Sequence, residues 1–182
     1  RPYCEIMRQW STFHPEFAFL PRKFKIAVIG TKADRAATQV HDIGLHLVER
    51  DGEIGFEVLV GGGLGRTPII GKVINEFLPR RHLLSYLDAI LRVYNLEGRR
   101  DNKFKARIKI LVESLGKEVF AQKVDEEWQT LKDGDLTLSD AHFEKAQSYF
   151  TTPNYEQIDL LEAQSKLEEF FGDINFKNWY EH

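Results

Sequence analysis

The chain is 182 residues long, 42% hydrophobic and 29% charged, with a formal net charge of −3, the profile of one globular domain with enough apolar material for a single buried core. Its one cysteine, Cys4, excludes an internal disulfide and an iron–sulfur cluster ligated by this chain alone, which needs four thiolates, and it fits a reducing, cytoplasmic setting. No apolar run reaches the length of a membrane span and no basic-then-apolar leader opens the chain, so no membrane partner is expected.

The charge is unevenly placed. Residues 1–116 hold 19 Lys+Arg against 13 Asp+Glu, whereas residues 117–182 hold 6 against 15, so the front is the anion-binding half. A nucleic-acid surface needs aromatic stacking groups interleaved with its cations in a known module pattern, and an acidic tail would repel phosphate. The sequence offers no such module, and nucleic acid is not an expected partner.

Tyr3 to Phe13 reads as a helix, with Ile6, Trp10 and Phe13 at helical spacing and Pro15 forbidding its continuation. The stretch Leu20-Pro21-Arg22-Lys23-Phe24-Lys25-Ile26-Ala27-Val28-Ile29-Gly30 follows. From Phe24 the alternation predicts a strand with Phe24, Ile26 and Val28 on one face and Lys23, Lys25 and Ala27 on the other. Two residues of strand rise separate the lysines by roughly 7 Å, close enough for both ammonium groups to bind one small anion. Taken alone, such a strand also fits an edge protected by lysines against aggregation. Ala36 to Gln39 is read as a short helix.

His41 to Val48 alternates with period two, Asp51-Gly52 is a hairpin signal, and Phe56 to Val60 pairs back as the second arm. That arm runs into Gly61-Gly62-Gly63-Leu64-Gly65, then Arg66 and Thr67. Glycines at that density let backbone amides approach carboxylates or phosphates. The run is not a dinucleotide fingerprint, which needs a glycine where Arg66 stands, nor a P-loop, which Arg66 and Val73 both break. On its own it equally fits a flexible hairpin exit.

Ile69 to Phe77 gives a short helical pattern closed by Pro79, and Arg80 to Leu96 a longer one with Gly98 as its stop. Asn102 is placed to cap a helix whose buried stripe is Phe104, Ile108, Leu111 and Leu115 and whose end is Gly116. This predicts Lys103 with Arg107, and Lys105 with Lys109, four apart on its flanks. From Lys117 the pattern is acidic and helical. Val119, Phe120, Val124 and Trp128 form one stripe, Asp133-Gly134-Asp135 breaks it, and Ser139 caps Ala141 to Phe150. A turn at Pro153-Asn154, apolar faces from Leu160, Leu161, Leu167, Phe170 and Phe171, and a start of another helix at Phe176 complete the reading. The histidines show no i, i+4 pair and no cysteine partner, so no metal site is expected, and no Gly-x-Ser-x-Gly hydrolase motif occurs.

Three stretches in this order and spacing carry a resemblance: Leu20 to Lys25, Val58-Leu59-Val60-Gly61-Gly62-Gly63-Leu64-Gly65, and Arg99-Arg100-Asp101-Asn102-Lys103-Phe104-Lys105-Ala106-Arg107-Ile108-Lys109. Together they resemble the sirohaem-dependent sulfite and nitrite reductases, most of all the haemoprotein (β) components of sulfite reductases, strongly over residues 1–116. The resemblance implies an α+β fold, a mixed sheet covered by helices. It also implies a sirohaem-binding domain over 1–116 and an acidic helical extension over 117–182 leading toward a further, absent, ferredoxin-like half-domain.

Its implied cofactor, sirohaem, carries eight carboxylates. Arg22 and Arg107 are then expected to anchor it, with Gly61, Gly62, Gly63 and Arg66 beside the macrocycle and Asn102 and Lys109 completing the cofactor-binding set. Lys23 and Lys25 are the expected catalytic pair, binding the sulfite oxyanion and helping to protonate its departing oxygens. Electrons are expected to come from a flavoprotein or a ferredoxin through a [4Fe–4S] cluster. The family's cluster cysteines and further pocket arginines have no counterpart between Arg1 and His182. The chain is therefore expected to be a piece of a longer polypeptide, inactive alone and without stably bound sirohaem. Nitrite reduction on the same scaffold, and a non-catalytic anion- or tetrapyrrole-binding module, stay open as alternatives.

Overall fold

A computed structural model describes residues 1–155 and 159–182, and two compact units divide the chain, Arg1–Phe150 and Thr151–His182. The first is built on a four-stranded sheet of order β1-β2-β3-β4, formed by Ile26–Ile29, Ile43–Arg50, Glu53–Val60 and Lys72–Pro79. β1 runs parallel to β2, and the other two pairings are antiparallel. The expected hairpin forms at Asp51-Gly52, where both residues take positive φ. Ile43, Leu45, Phe56, Val58 and Leu78 are fully buried on one sheet face. Phe24, Ile26 and Val28 pack against the same core, but the strand expected from Phe24 starts only at Ile26, so Lys23 and Lys25 lie before it and not on a strand face shared with Ala27.

Helices cover that face: α1 (Pro2–Ser11), α2 (Leu83–Glu97), α3 (Ile108–Leu115), α4 (Lys117–Leu131) and α5 (Asp140–Ser148). α2 is the central one, burying the stripe its spacing predicts, Leu83, Leu87, Ile90, Leu91 and Tyr94, and Tyr86 besides. Phe120 and Val124 of α4 are fully buried in the same core, so Gly116 falls inside the first unit, and no domain boundary lies there in space. Ser139 caps α5 as expected, accepting from the His142 amide at 3.3 Å.

The structure corrects further sequence expectations in this unit. Ile69 to Phe77 is not helical: its second half is β4. The apolar residues fit either period, but Gly71 weakens a helix there, and the free edge of β3 supplies a partner. The Gly71 amide goes to the Gln39 carbonyl at 2.7 Å. Ala36 to Gln39 becomes a single 3-10 turn over Thr38–Val40, following Ala37 at φ 51°. Asn102 does not cap a helix. α3 starts only at Ile108, with extended Arg107 before it, while Asn102 accepts from the Phe104 amide in a local turn. Phe104 is accordingly 79% exposed, and the two pairs of cations expected on helix flanks are not on one helix.

In the second unit α6 (Leu160–Phe170) and α7 (Ile174–Glu181) are capped by Asp159 and Asp173. Phe171 and Tyr180 meet edge to face at 5.2 Å. Neither helix buries a residue: of the apolar faces read from the sequence Leu160, Leu161 and Phe170 lie exposed, and Leu167 and Phe171 are half-buried. Pro153 and Asn154 lie in a stretch without a turn.

Because Phe120 anchors α4 in the shared core, Phe120→Ala is expected to destabilise the first unit by about 3–5 kcal/mol, read as a lower urea midpoint with the slope unchanged. A loss under about 1 kcal/mol would mean that α4 is not part of the cooperative fold.

Candidate functional site

At one end of the sheet the start of β1, the start of β2, the end of β3 and the loop before α3 meet at the Asp42 carboxylate, which has no solvent exposure. Its Oδ2 accepts from the Lys25 amide at 2.9 Å. Arg107 grips both oxygens, with Nε 3.0 Å from Oδ1 and Nη2 at 2.6 and 2.7 Å from Oδ1 and Oδ2. The Asp42 carbonyl accepts from the Gly61 amide at 2.9 Å, and the Lys25 carbonyl accepts from the Ile43 amide at 3.1 Å. A buried carboxylate is thus satisfied by a forked cation and a backbone donor, the condition under which burying a charge is tolerated.

The loop before α3 is tied down at more points. The Tyr94 hydroxyl reaches the Ala106 carbonyl at 2.7 Å and the Arg22 carbonyl at 3.1 Å. Burial, reinforced by nearby Asp42, pushes this phenol up to about 12, so it stays a donor. Arg22 donates through Nη1 to the Lys103 carbonyl at 2.8 Å. Lys109, only 7% exposed, turns its ammonium to the Thr67 and Leu64 carbonyls at 2.6 and 3.3 Å, and so holds the loop that follows the glycine run.

The glycine run works differently from the sequence expectation. Gly61, Gly62 and Gly63 are buried, and the amides of Gly61 and Gly63 already serve the Asp42 and Ile69 carbonyls. A Cβ on Gly62 would sit 2.4 Å from the Gln39 carbonyl oxygen and 2.5 Å from that of His41. Gly61 adopts φ +86° against Val112. These glycines let chain segments close on one another, and they do not offer a row of free amides to a ligand.

The structure therefore divides the predicted cations. Arg107, Lys109 and Arg22 make internal bonds, although Nη1 of Arg107 and Nη2 of Arg22 have no partner among the described residues. Lys23, Lys25 and Arg66 are exposed, and their charged groups meet no hydrogen-bond or ion-pair partner among the described residues. All belong to one end of the sheet: Lys23 and Lys25 precede β1, Arg66 lies between β3 and β4, and Arg107 precedes α3. Asn102 contributes only its own turn.

Sequence reasoning missed Asp42 and Tyr94. An acid at the head of a strand of alternating apolar residues is a signal in retrospect, since it must be paired if the strand is buried. Fully buried Thr38 was missed as well. Its hydroxyl donates to Asp34 at 2.8 Å and also meets Nε2 of His46, whose Nδ1 lies 3.2 Å from Glu57. The amide and hydroxyl bonds from Thr38 hold the Asp34 carboxyl below its ordinary range, the amide bond having the larger effect. Gly44 makes room for that packing, because a Cβ there would lie 2.7 Å from the Thr38 carbonyl oxygen.

With this geometry in place, comparison with known proteins is specific. The family described as "Nitrite and sulphite reductase 4Fe-4S domain" matches residues 1–132. A protein named ferredoxin–nitrite reductase from Leptolyngbya laminosa is 32% identical over 115 residues, covering 63% of this chain and 22% of its own length. A sulfite reductase [NADPH] hemoprotein beta-component from Staphylococcus epidermidis is 37% identical over 106 residues, covering 54% of this chain and 18% of its own. Among solved structures, the Mycobacterium tuberculosis NirA protein superposes with a TM-score of 0.62 at 26% identity, over 71% of this chain and 24% of that one. The chain spans about a fifth of the length of these relatives.

Asp42→Ala, which leaves Arg107 without its partner, is expected to cost about 3–5 kcal/mol in chemical denaturation. A double-mutant cycle with Arg107→Met is expected to recover part of that loss, because the second change removes the stranded cation. Strict additivity in the cycle would show that the two side chains do not form a coupled pair.

Proposed function

The chain belongs to the nitrite and sulphite reductase 4Fe-4S domain family, and from that premise we propose that it is the oxyanion-binding part of a longer sulfite reductase that carries out the six-electron reduction of sulfite to sulfide. The observation that carries this reading is the pair of exposed lysines, Lys23 and Lys25, unpartnered among the described residues and on a backbone fixed by the Asp42–Arg107 pair. In this reading they bind the sulfite oxyanion and deliver protons to the oxygens that leave as water, the role of positioned general acids.

The donor set fits a polycarboxylate such as sirohaem. Arg22 and Arg107 each keep an unpartnered guanidinium nitrogen, and Arg66 is fully available, so forked and single donors to several carboxylates come from one end of the sheet. Lys109 and Gly61 to Gly63 act one step back by shaping the loop that presents Arg66, and Asn102 by shaping the turn that leads to Arg107. When bound, sirohaem coupled to a [4Fe–4S] cluster supplies the electrons and the iron that takes the substrate. Cys4 is the chain's one cysteine, so the cluster thiolates belong to the rest of the longer polypeptide. The 182-residue piece alone is then inactive and holds no stable sirohaem. We place the protein in the cytoplasm; no helix among the described residues is long and apolar enough to cross a membrane.

Nitrite is the second reading for the substrate, since a relative of comparable identity is named a nitrite reductase and another a sulfite reductase. Those names also frame the donor alternatives in this proposal, a ferredoxin or an NADPH-dependent flavoprotein. In the full-length protein, Lys23→Ala and Lys25→Ala are each expected to lower sulfite turnover by about 10²- to 10⁴-fold with the sirohaem spectrum intact. Wild-type turnover with both substrates assigns the anion. Retention of full sulfite and nitrite turnover in the double variant would sink the proposal.

A further inference from the structure

A separate cavity of about 300 Å³ opens among α1, the start of α2, the 135–138 loop and α5. None of Arg22, Lys23, Lys25, Arg66 or Arg107 lines it. Asp135 to Leu138 and all of α5 lie beyond the residues matched by the family, 1–132. Its volume is at the small end for ligand sites, with room for one branched or aromatic group.

The chemistry of the walls is mixed in a particular way. Ile6, Trp10 and Leu84 make an apolar floor. Trp10 also carries a buried indole N–H with no acceptor among the described residues. Opposite charges also line the cavity, Asp135 on the loop and Lys145 on α5, with the His142 imidazole three residues before Lys145 as a further polar group. All three side chains are exposed, and among the described residues none has an ion-pair or side-chain hydrogen-bond partner, including one another. An apolar pocket rimmed by an unpaired acid and an unpaired base is complementary to a small molecule carrying both charges beside an apolar group.

We propose that this cavity binds a small apolar α-amino acid, its carboxylate toward Lys145 and His142, its ammonium toward Asp135, and its side chain over Ile6 and Leu84. The acid and base at the rim discriminate a zwitterion from a simple carboxylate or amine, because either of those leaves one rim charge unmatched. The site is independent of the reductase reading and needs no cofactor.

The test is titration of the ¹⁵N-labelled chain with L-leucine, followed at the Trp10 indole cross-peak, one of three in the chain. A saturable shift is expected. Isocaproate and isoamylamine, each keeping one charge and the branched chain, are expected to bind at least about tenfold more weakly. Asp135→Asn and Lys145→Gln, both at exposed positions, are expected to weaken L-leucine by about five- to tenfold each, and Ala146→Leu, on the cavity wall, to abolish the shift with the fold intact by circular dichroism. Absence of a saturable Trp10 shift at L-leucine concentrations on the order of 10 mM overturns the proposal. So does isocaproate binding as tightly as L-leucine, or both rim variants binding like the wild type.

Discussion

The Asp42 carboxylate is the point on which this end of the molecule depends. It lies without solvent exposure at the head of β2 and gathers the Lys25 amide, the Arg107 guanidinium and, through its own carbonyl, the Gly61 amide. A buried carboxylate without partners would cost several kcal/mol. The segments that supply partners, 20–25, 61–63 and 102–107, are therefore drawn together irrespective of any ligand. They are also the segments that carry the family resemblance. Two of the motif stretches converge because one acid needs both, and the third joins them through the backbone carbonyl of the same residue.

That convergence separates cations that build the site from cations left to act. Arg107 and Lys109 are partly or largely withdrawn from water and bonded within the chain. Their charge raises the local potential, but most of their donor capacity is committed. Lys23, Lys25 and Arg66 remain on the surface, their heads without a partner among the described residues. An anion arriving at this end meets mobile ammonium groups on a fixed backbone, a combination in which position is set by the buried pair and contact by the exposed heads.

Much of the scaffold could be read from the residues. The Asp51-Gly52 hairpin, the α2 stripe and the Ser139 cap follow from local chemistry that the tertiary structure does not oppose. β4 could not be read, because Ile69, Val73, Ile74 and Phe77 suit both periods and the choice was made by the open edge of β3, a partner distant from any local signal. The late start of α3 was hidden for a related reason. Asn102 and Phe104 look like a cap and a core residue. Tyr94 and Asp42 nevertheless hold residues 106–107 extended, and helix propensity is too weak to compete with a buried ion pair. At the site, the identity of the cations was legible but their division of labour was not, since that depends on an unremarked aspartate.

The charge asymmetry of the sequence has a similar resolution. An excess of cations in residues 1–116 suggests an anion site of corresponding strength, yet part of it answers acids from the following helices. Arg80 meets Asp140 at 2.7 Å and Arg92 meets Glu127 at 3.2 Å, while Glu97 takes Lys123 at 2.7 Å in the reverse sense. Arg92 also lies 3.0 Å from Asp88, whose carboxyl burial pushes above its ordinary range. These pairs sit along α2 and its flanks, where α4 and α5 pack. Acids of the rear answer Arg80 and Arg92, acids of the front itself answer Arg8, Arg50, Lys72, Arg99 and Arg107, and among the described residues Lys23, Lys25 and Arg66 have no ion-pair partner. Net charge alone overstates the reach of the proposed anion site, and the placement of the acids would confine it to one end.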